Sequence, residues 1–380
     1  MTRRPVGVLG ATGVAGRQAL AALARHPWFE VAAVAGGAGN AGRRLGDALA
    51  ERRADGLDAA ARLGAPPRPA PEPLPDAVLD LVLQDAGALQ PAGLAAVFSA
   101  LPSGPARELE ARCARTTPVF STASAWRMDR DTPLLLAGVN RDHAALLAGQ
   151  QRAHGFEGFI APGPNCTTVG MAVALAPLVR AYGVRSVTLT SMQAVSGAGG
   201  RASAVAEQVA ANILPWIDQE EEKVEREILK ILGSAADGRV RPADFPVSAT
   251  CTRVPVEDGH TLSLSVALHE PAAPGDVAAL LAAEDPWTGR ALPSRPERWI
   301  EVREEPDRPQ PRLDAGAGGG MSVSVGRIRR APPFDLALTV VVHNAVRGAA
   351  GACLANAELC LARGLVRVDG ASLVVVAGMR

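Results

Sequence analysis

The sequence carries no prevailing charge: 39 Lys+Arg stand against 39 Asp+Glu among 380 residues. That balance gives no reason to expect nucleic acid or an acidic membrane surface as a partner. There are five cysteines and no CxxC pair, so neither a disulfide framework nor a zinc site is expected, and no metal is assigned. No uninterrupted apolar run is long enough to span a bilayer, and no internal repeat is visible. Residues 1–5 lead straight into a strand without a signal-peptide pattern, and the expected compartment is the cytoplasm.

What is present is a long chain, 48% hydrophobic, too long for one compact core, so two domains are expected. Residues 6–9 form a short apolar strand. Gly10-Ala11-Thr12-Gly13-Val14-Ala15-Gly16 follows, then a helical run over 18–23. Strand, Gly-rich turn and helix predict the first unit of a dinucleotide-binding fold, with a pyrophosphate resting on the helix N-terminus. The spacing is GxxGxxG rather than GxGxxG, and a plain strand-turn-helix fits the same residues. Further strands at 30–35, 95–101 and 117–121 point to a parallel sheet. Residues 55–75, rich in Ala, Pro and Arg, read as a loop or insertion. Beyond residue 166, longer strands at 186–193, 262–268 and 336–343 predict a second sheet. Residues 286–311, rich in Pro and charge, read as surface; 345–361 as a last Ala-rich helix; 365–377 as a terminal segment.

Cys166 lies in Gly163-Pro164-Asn165-Cys166-Thr167-Thr168, directly before an apolar helical run over 169–179. A sulfur at a helix N-terminus meets unpaired backbone N–H groups and the positive end of the dipole, which favour the thiolate. A thiolate attacks carbonyl carbon, so the stretch reads as a nucleophile site; a buried structural cysteine fits the local pattern equally. His260 follows Gly259 at the head of an alternating strand and has the chemistry of a general acid or base. It pairs with Cys166, 94 residues upstream, only if the fold joins them. Arg253 offers a fork for a carboxylate, with a surface ion pair as the plainer reading. Glu220 and Lys223 share a face of a charged helix over 218–232 whose apolar stripe is Val224, Ile228 and Leu232. They suit an ammonium and a phosphate on one small substrate, or simply a solvated face.

These residues carry a resemblance. Gly10-Ala11-Thr12-Gly13, Phe98-Ser99-Ala100-Leu101-Pro102, Pro164-Asn165-Cys166-Thr167-Thr168 and Ser191-Met192-Gln193-Ala194-Val195-Ser196-Gly197-Ala198-Gly199 run in order. They are followed by Glu220-Glu221-Glu222-Lys223-Val224, Arg253-Val254-Pro255-Val256, Gly259-His260-Thr261, the stretch 303–311, Gly319-Gly320-Met321-Ser322 and His343-Asn344-Ala345-Val346-Arg347-Gly348. The chain resembles the aspartate-semialdehyde dehydrogenases, in the subfamily common in archaea and fungi.

The resemblance implies an α/β fold: a Rossmann-like dinucleotide-binding domain over 1–165, an α+β catalytic and dimerisation domain with a mixed sheet over 166–344, and a C-terminal helix and tail, 345–380, returning to the first domain. It implies NADPH-dependent reduction of L-aspartyl 4-phosphate to the semialdehyde through a thioester. Cys166 is then the nucleophile, His260 the acid and base, and Gln193 a holder of the acyl intermediate. Arg253, Glu220, Lys223, Asn165 and Arg127 would bind the small-molecule substrate. Gly10, Thr12, Gly13, Val14, Arg43, Ser196, Gly197 and Asn344 would bind NADP(H), with NAD(H) not excluded. The assembly implied is a homodimer or homotetramer.

Departures cluster at the cofactor and phosphate contacts. Relatives carry Ser and Arg after the second strand for the 2′-phosphate of NADP, where this chain has Gly37 and Gly39, leaving Arg43 as the basic end. No Asp or Glu replaces them for a ribose 2′-hydroxyl. Thr122 stands where Asn is expected, and Gly200-Arg201-Ala202 where Tyr-Pro-Gly is usual. An acyl-CoA or other acyl-phosphate reductase is therefore an alternative, as is a non-redox relative with a degenerate cofactor site.

Overall fold

The computed structural model describes residues 3–51, 73–287 and 292–366. Most of the expected loop over 55–75, residues 288–291 of the expected surface segment and nearly all of the expected terminal segment lie outside the described residues.

Two six-stranded sheets organise the chain. The first is all parallel, in the order β3-β2-β1-β4-β5-β6. Its strands are β1 (Arg4–Leu9), β2 (Phe29–Gly36), β3 (Leu83–Asp85), β4 (Ala96–Ser99), β5 (Val119–Ser121) and β6 (Ile160–Pro162). This is the doubly wound order in which ligands bind at the carboxyl ends of the strands. Helix α1 (Val14–Leu23) buries Gly16, Ala19, Leu20 and Leu23, one face at helical spacing. Gly16 presses on the Gly10 carbonyl, leaving no room for a Cβ, and Gly10 adopts φ +73°. Both positions require glycine.

Helix α2 (Ser103–Ala114) carries a buried carboxylate behind this sheet edge. The hydroxyls of Ser99 and Ser121 both donate to Glu110 Oε1, and Oε2 is buried without a partner among the described residues. Burial pushes the Glu110 carboxyl up to about 7, against the pull of the two hydroxyls and Arg127. The folded state thus retains a proton that the unfolded chain releases near 4.5, and stability falls as pH rises between those values. A shift of that size corresponds to about 3 kcal/mol. Glu110→Gln is expected to melt higher than the parent at pH 8 and to lose that advantage at pH 5; an equal effect at both pH values would contradict the assignment.

The second sheet is mixed, in the order β10-β7-β11-β14-β13-β12. It comprises β7 (Val184–Gln193), β10 (Val247–Arg253), β11 (His260–Leu268), β12 (Ile300–Arg303), β13 (Val323–Ala331) and β14 (Phe334–Val342); β8 (Ser234–Ala236) and β9 (Arg239–Arg241) form a separate ribbon. Helix α3 (Cys166–Tyr182) lies on this sheet and is buried at every position from Thr167 to Leu178, as its apolar circumference demands. Helix α4 (Glu220–Ile231) packs against α3 and β10. After β14 a π-turn, Val346–Ala350, leads into α5 (Gly351–Ala362), which packs on α1, β5 and β6 of the first sheet. Asn356 in α5 accepts from Ala137 N–H and donates to the Leu135 carbonyl. Glu358 receives His26 Nε2 at 2.8 Å.

The expected surface segment 286–311 is partly interior: Trp287 and Trp299 are buried edge-to-face, 5.5 Å apart, and β12 joins the sheet. The two indoles outweigh the polar composition around them. Among the described residues no helix is long and apolar enough to cross a membrane.

Candidate active site

Three strand ends bring distant residues to one edge. β10 and β7 are parallel with Arg253 opposite Gln193, and β11, antiparallel to β7, begins at His260 beside them. Helix α3 aims its N-terminus at the same edge. Asn165 is its N-cap: Oδ1 accepts the N–H groups of Thr167 at 2.8 Å and Thr168 at 3.3 Å, which are donors otherwise orphaned. Cys166, the first helical residue, places Sγ 3.2 Å from His260 Nε2.

His260 is fully buried. Its Nδ1 accepts the Ala194 N–H at 3.1 Å, so in the neutral ring the proton sits on Nε2 and faces the sulfur. Burial, Arg253 and His343 hold the imidazole well below its ordinary pKa. Arg253 is also buried, and its Nη1 donates to the Ala194 carbonyl at 2.7 Å. Gly197 closes over the pair: a Cβ there would stand 2.8 Å from Arg253 Nη1 and 2.9 Å from His260 Cε1. Asn344 accepts from Gly259 N–H and donates to Ser196 Oγ, both at 2.9 Å, bracing the turn before His260.

The expectation that a helix N-terminus eases thiol ionisation meets an opposing term. Cys166 is only partly exposed, and burial, with the charge of Glu220, pushes its thiol up to about 12. Arg253, Arg127 and the Thr167 N–H pull the other way. In this arrangement the sulfur is a thiol facing a ring donor.

Glu220 is the hub on the other side. Its Oε1 accepts Asn165 Nδ2 at 2.8 Å and Gln193 Nε2 at 3.1 Å. Lys223, one turn on, is half-buried, and its ammonium has no ion-pair partner among the described residues. Arg127 sits differently: Nη1 donates to Glu227 Oε1 at 2.9 Å and Nη2 to the Thr122 carbonyl at 2.6 Å. Glu227 Oε2 accepts the backbone N–H of Asn165 at 2.6 Å. Lys230 donates to the carbonyls of Arg127 and Asp129 at 2.7 and 2.8 Å. Sequence reading missed Glu227 and Lys230. The signal was present: Glu227 adjoins the apolar stripe of Val224 and Ile228, where an unpaired charge is not tolerated.

A second cradle lies at the carboxyl end of β1. Gly13 is the N-cap of α1 and supplies no side-chain acceptor to the first-turn N–H groups, and Thr12 beside it is buried. Gly10 has no space for a Cβ against the Ala100 carbonyl. Free donors on a tight glycine turn fit a pyrophosphate. The turn Val195–Arg201, which holds Ser196 and Gly197, packs against α1, so cradle and catalytic edge adjoin. Past β2, the space beside Gly37 and Gly39 is open. Arg43 is forked onto Glu51, with Nη2 2.6 Å from Oε1 and Nη1 3.1 Å from Oε2, and Arg44 pairs with Asp80. Among the described residues no cluster of three His, Cys, Asp or Glu could hold a metal.

Comparison with known proteins agrees with this geometry. Residues 5–147 match the family model described as "Semialdehyde dehydrogenase, NAD binding domain", and 175–347 the one described as "Semialdehyde dehydrogenase, dimerisation domain". An aspartate-semialdehyde dehydrogenase of Archaeoglobus fulgidus is 41% identical, covering 94% of this chain and 98% of its own. That of Cryptococcus neoformans is 36% identical, covering 97% and 100%. The crystal structure of the Candida albicans aspartate semialdehyde dehydrogenase with NADP superposes with a TM-score of 0.81 at 34% identity, covering 96% of this chain and all of that one. With both halves matched and Cys166 paired with His260 at the sheet edge, the chain belongs to the aspartate-semialdehyde dehydrogenase family of semialdehyde dehydrogenases.

Proposed function

We propose that the chain reduces L-aspartyl 4-phosphate to L-aspartate 4-semialdehyde with release of phosphate, using NADPH. The observation that carries this reading is Cys166 Sγ against His260 Nε2, with Glu220, Arg253 and Arg127 around the sulfur. In this reading Sγ forms a bond to the acyl carbon as the carbon–oxygen bond to phosphate breaks, and the thiol proton leaves with the phosphate. When bound, the reduced nicotinamide supplies the hydride that turns the thioester into an aldehyde. His260 holds the sulfur through Nε2–H, and the thiolate released when the carbon–sulfur bond breaks regains its proton from water. Gln193 steadies the acyl group.

Charge complementarity suits this substrate. Arg253 keeps Nη2 and Nε for a carboxylate while Nη1 stays on Ala194. Glu220 keeps Oε2 for an ammonium, and Lys223 is available to a phosphate. The experiment is the reverse reaction, with aspartate semialdehyde, phosphate and NADP, followed at the nicotinamide absorbance. Absence of turnover with this aldehyde would overturn the assignment. Arg253→Lys is expected to lower kcat/KM about 10- to 100-fold, because a lysine loses at least one charge-assisted bond worth about 1.5–3 kcal/mol. An unimpaired variant would mean a substrate without that carboxylate.

Gly10, Thr12, Gly13 and Val14 would hold the pyrophosphate of the cofactor, with Asn344, Ser196 and Gly197 toward the nicotinamide. Among the described residues the basic group at the 2′-phosphate end is Arg43, already held by Glu51. A preference for NADP over NAD of less than about a thousandfold, some 4 kcal/mol, is therefore expected by calorimetry. Glu51→Ala frees Arg43 from an exposed ion pair of small worth, so it should tighten NADP a few-fold and leave NAD unchanged. A larger preference in the parent would reveal a basic partner other than Arg43.

The matched dimerisation segment implies self-association, and a homodimer or homotetramer is the assembly proposed. Ile213 and Trp216, 57% and 61% exposed within that segment, are surface a second copy would cover. The cytoplasm is the compartment proposed, since a cysteine nucleophile must stay reduced.

A further inference from the structure

We propose that Glu227 is a positioning residue for the acyl-transfer site, one that seats both the nucleophile's N-cap and the guanidinium of Arg127. The proposal rests on the reading of Cys166 as the nucleophile and adds a residue to that site.

Three elements meet at this one carboxylate. Oε2 takes the backbone N–H of Asn165 at 2.6 Å, and Oε1 takes Arg127 Nη1 at 2.9 Å. Glu227 is 1% exposed, and Arg127 and Asn165 are also buried. Glu227 lies seven residues, two turns, after Glu220 on α4, so both carboxylates address the same side. They hold Asn165 at two points: Glu220 accepts from its side-chain amide and Glu227 from its backbone. With N–H and amide both fixed, Oδ1 is aimed at the Thr167 and Thr168 N–H groups, and Cys166 is set at the head of the helix. Gly348 seals the far side: a Cβ there would stand 2.8 Å from Cys166 Cβ.

The same carboxylate orients Arg127. Without it the guanidinium would be a buried charge held by the Thr122 carbonyl alone, with Nε already lacking a partner among the described residues. Arg127 and Arg253 are the two cations that favour the Cys166 thiolate against burial and Glu220. Losing the seat of Arg127 therefore reaches the sulfur as well as any anion bound beside it. A buried ion pair is poor evidence of stabilisation, since apolar replacements are often as stable. What it provides and an apolar pair does not is two donors aimed in fixed directions.

Substitution by glutamine separates positioning from charge. Glu227→Gln keeps the size and one acceptor oxygen but turns an amide N–H₂ toward a donor. If only charge mattered, removing a carboxylate near Cys166 would favour the thiolate and speed its alkylation. If position matters, the N-cap and Arg127 shift and alkylation slows. The test measures alkylation of Cys166 by iodoacetamide at pH 7.5, with kcat, KM and melting temperature, for Glu227→Gln and Arg127→Lys. The latter keeps the charge and loses the second bond, to the Thr122 carbonyl. Expected are alkylation slowed at least fivefold and kcat lowered about 10- to 100-fold, the scale of a misplacement near 1 Å, with KM for the aldehyde within about threefold. Unchanged or faster alkylation in folded Glu227→Gln overturns the proposal. If that variant does not fold, Arg127→Lys decides: parent-like alkylation and kcat overturn the proposal. Alkylation needs no substrate, so failure of the substrate assignment leaves this test intact.

Discussion

Cys166→Ala is expected to abolish turnover, with a loss of several orders of magnitude in kcat, while melting temperature and cofactor binding stay close to those of the parent. Loss of a covalent nucleophile removes the route itself rather than one contribution to it. The fold has little stake in the sulfur: Cys166 is partly exposed, and helix α3 is capped by Asn165 and not by the thiol. Access, not acidity, singles the residue out. Cys251, Cys353 and Cys360 have thiols pushed up by burial to about 12, as Cys166 does. They and Cys113 are buried, whereas Cys166 is open to reagent. Iodoacetamide should therefore label one cysteine in the folded parent and none in the variant. Kinetics in the reverse direction and mass spectrometry of the alkylated protein check both statements. Activity near that of the parent in Cys166→Ala would remove the thioester from the mechanism.

Much of the frame was legible because its signals are local. The Gly10–Gly16 turn, the apolar β1 and the Asn-Cys helix start each announce themselves within ten residues, and β7, β11 and β14 are long enough to show alternation. β3 and β6 are three residues long, too short for any period to be counted. β10 alternates in burial over part of its length, whereas β13 is buried through its first four residues and open beyond them, which leaves no period to read. The π-turn at Val346–Ala350 reads in the sequence as the start of the Ala-rich helix, because nothing in Val-Arg-Gly-Ala-Ala separates π from α spacing. At the site, residue identities came from motif resemblance, but partners did not. That Arg127 faces Glu227, that Arg253 holds Ala194 and that Arg43 is forked onto Glu51 are properties of packing across 100, 59 and 8 residues. The upward push on the Cys166 thiol is likewise a tertiary effect: the helix terminus is visible in the sequence, the burial is not.

His260→Ala is expected to lower the rate of acylation about 10- to 100-fold, the worth of a hydrogen bond to a charged group, about 1.5–3 kcal/mol, with little change in KM. The form of the pH dependence follows from the hydrogen bonds. Ala194 N–H occupies Nδ1, so an imidazolium would set two donors against each other, and burial, Arg253 and His343 hold the ring neutral well below its usual range. The ring therefore stays neutral in the parent where a free imidazole would take up a proton. The thiol does the titrating: ionisation increases with pH, and its raised pKa puts the rise on the alkaline side. Acylation in the parent should climb through pH 8 with no step near 6.5. Without the Nε2–H donor the thiolate is less favoured, and the climb in His260→Ala should begin at still higher pH. Arg253, Arg127 and Glu220 face the sulfur in both proteins, so they cancel in the comparison. Single-turnover acylation from pH 5.5 to 9.5 checks this. An unchanged rate would remove His260 from the chemistry. A step near 6.5 that vanishes in the variant would show instead that the ring gives up Ala194 and acts as a base.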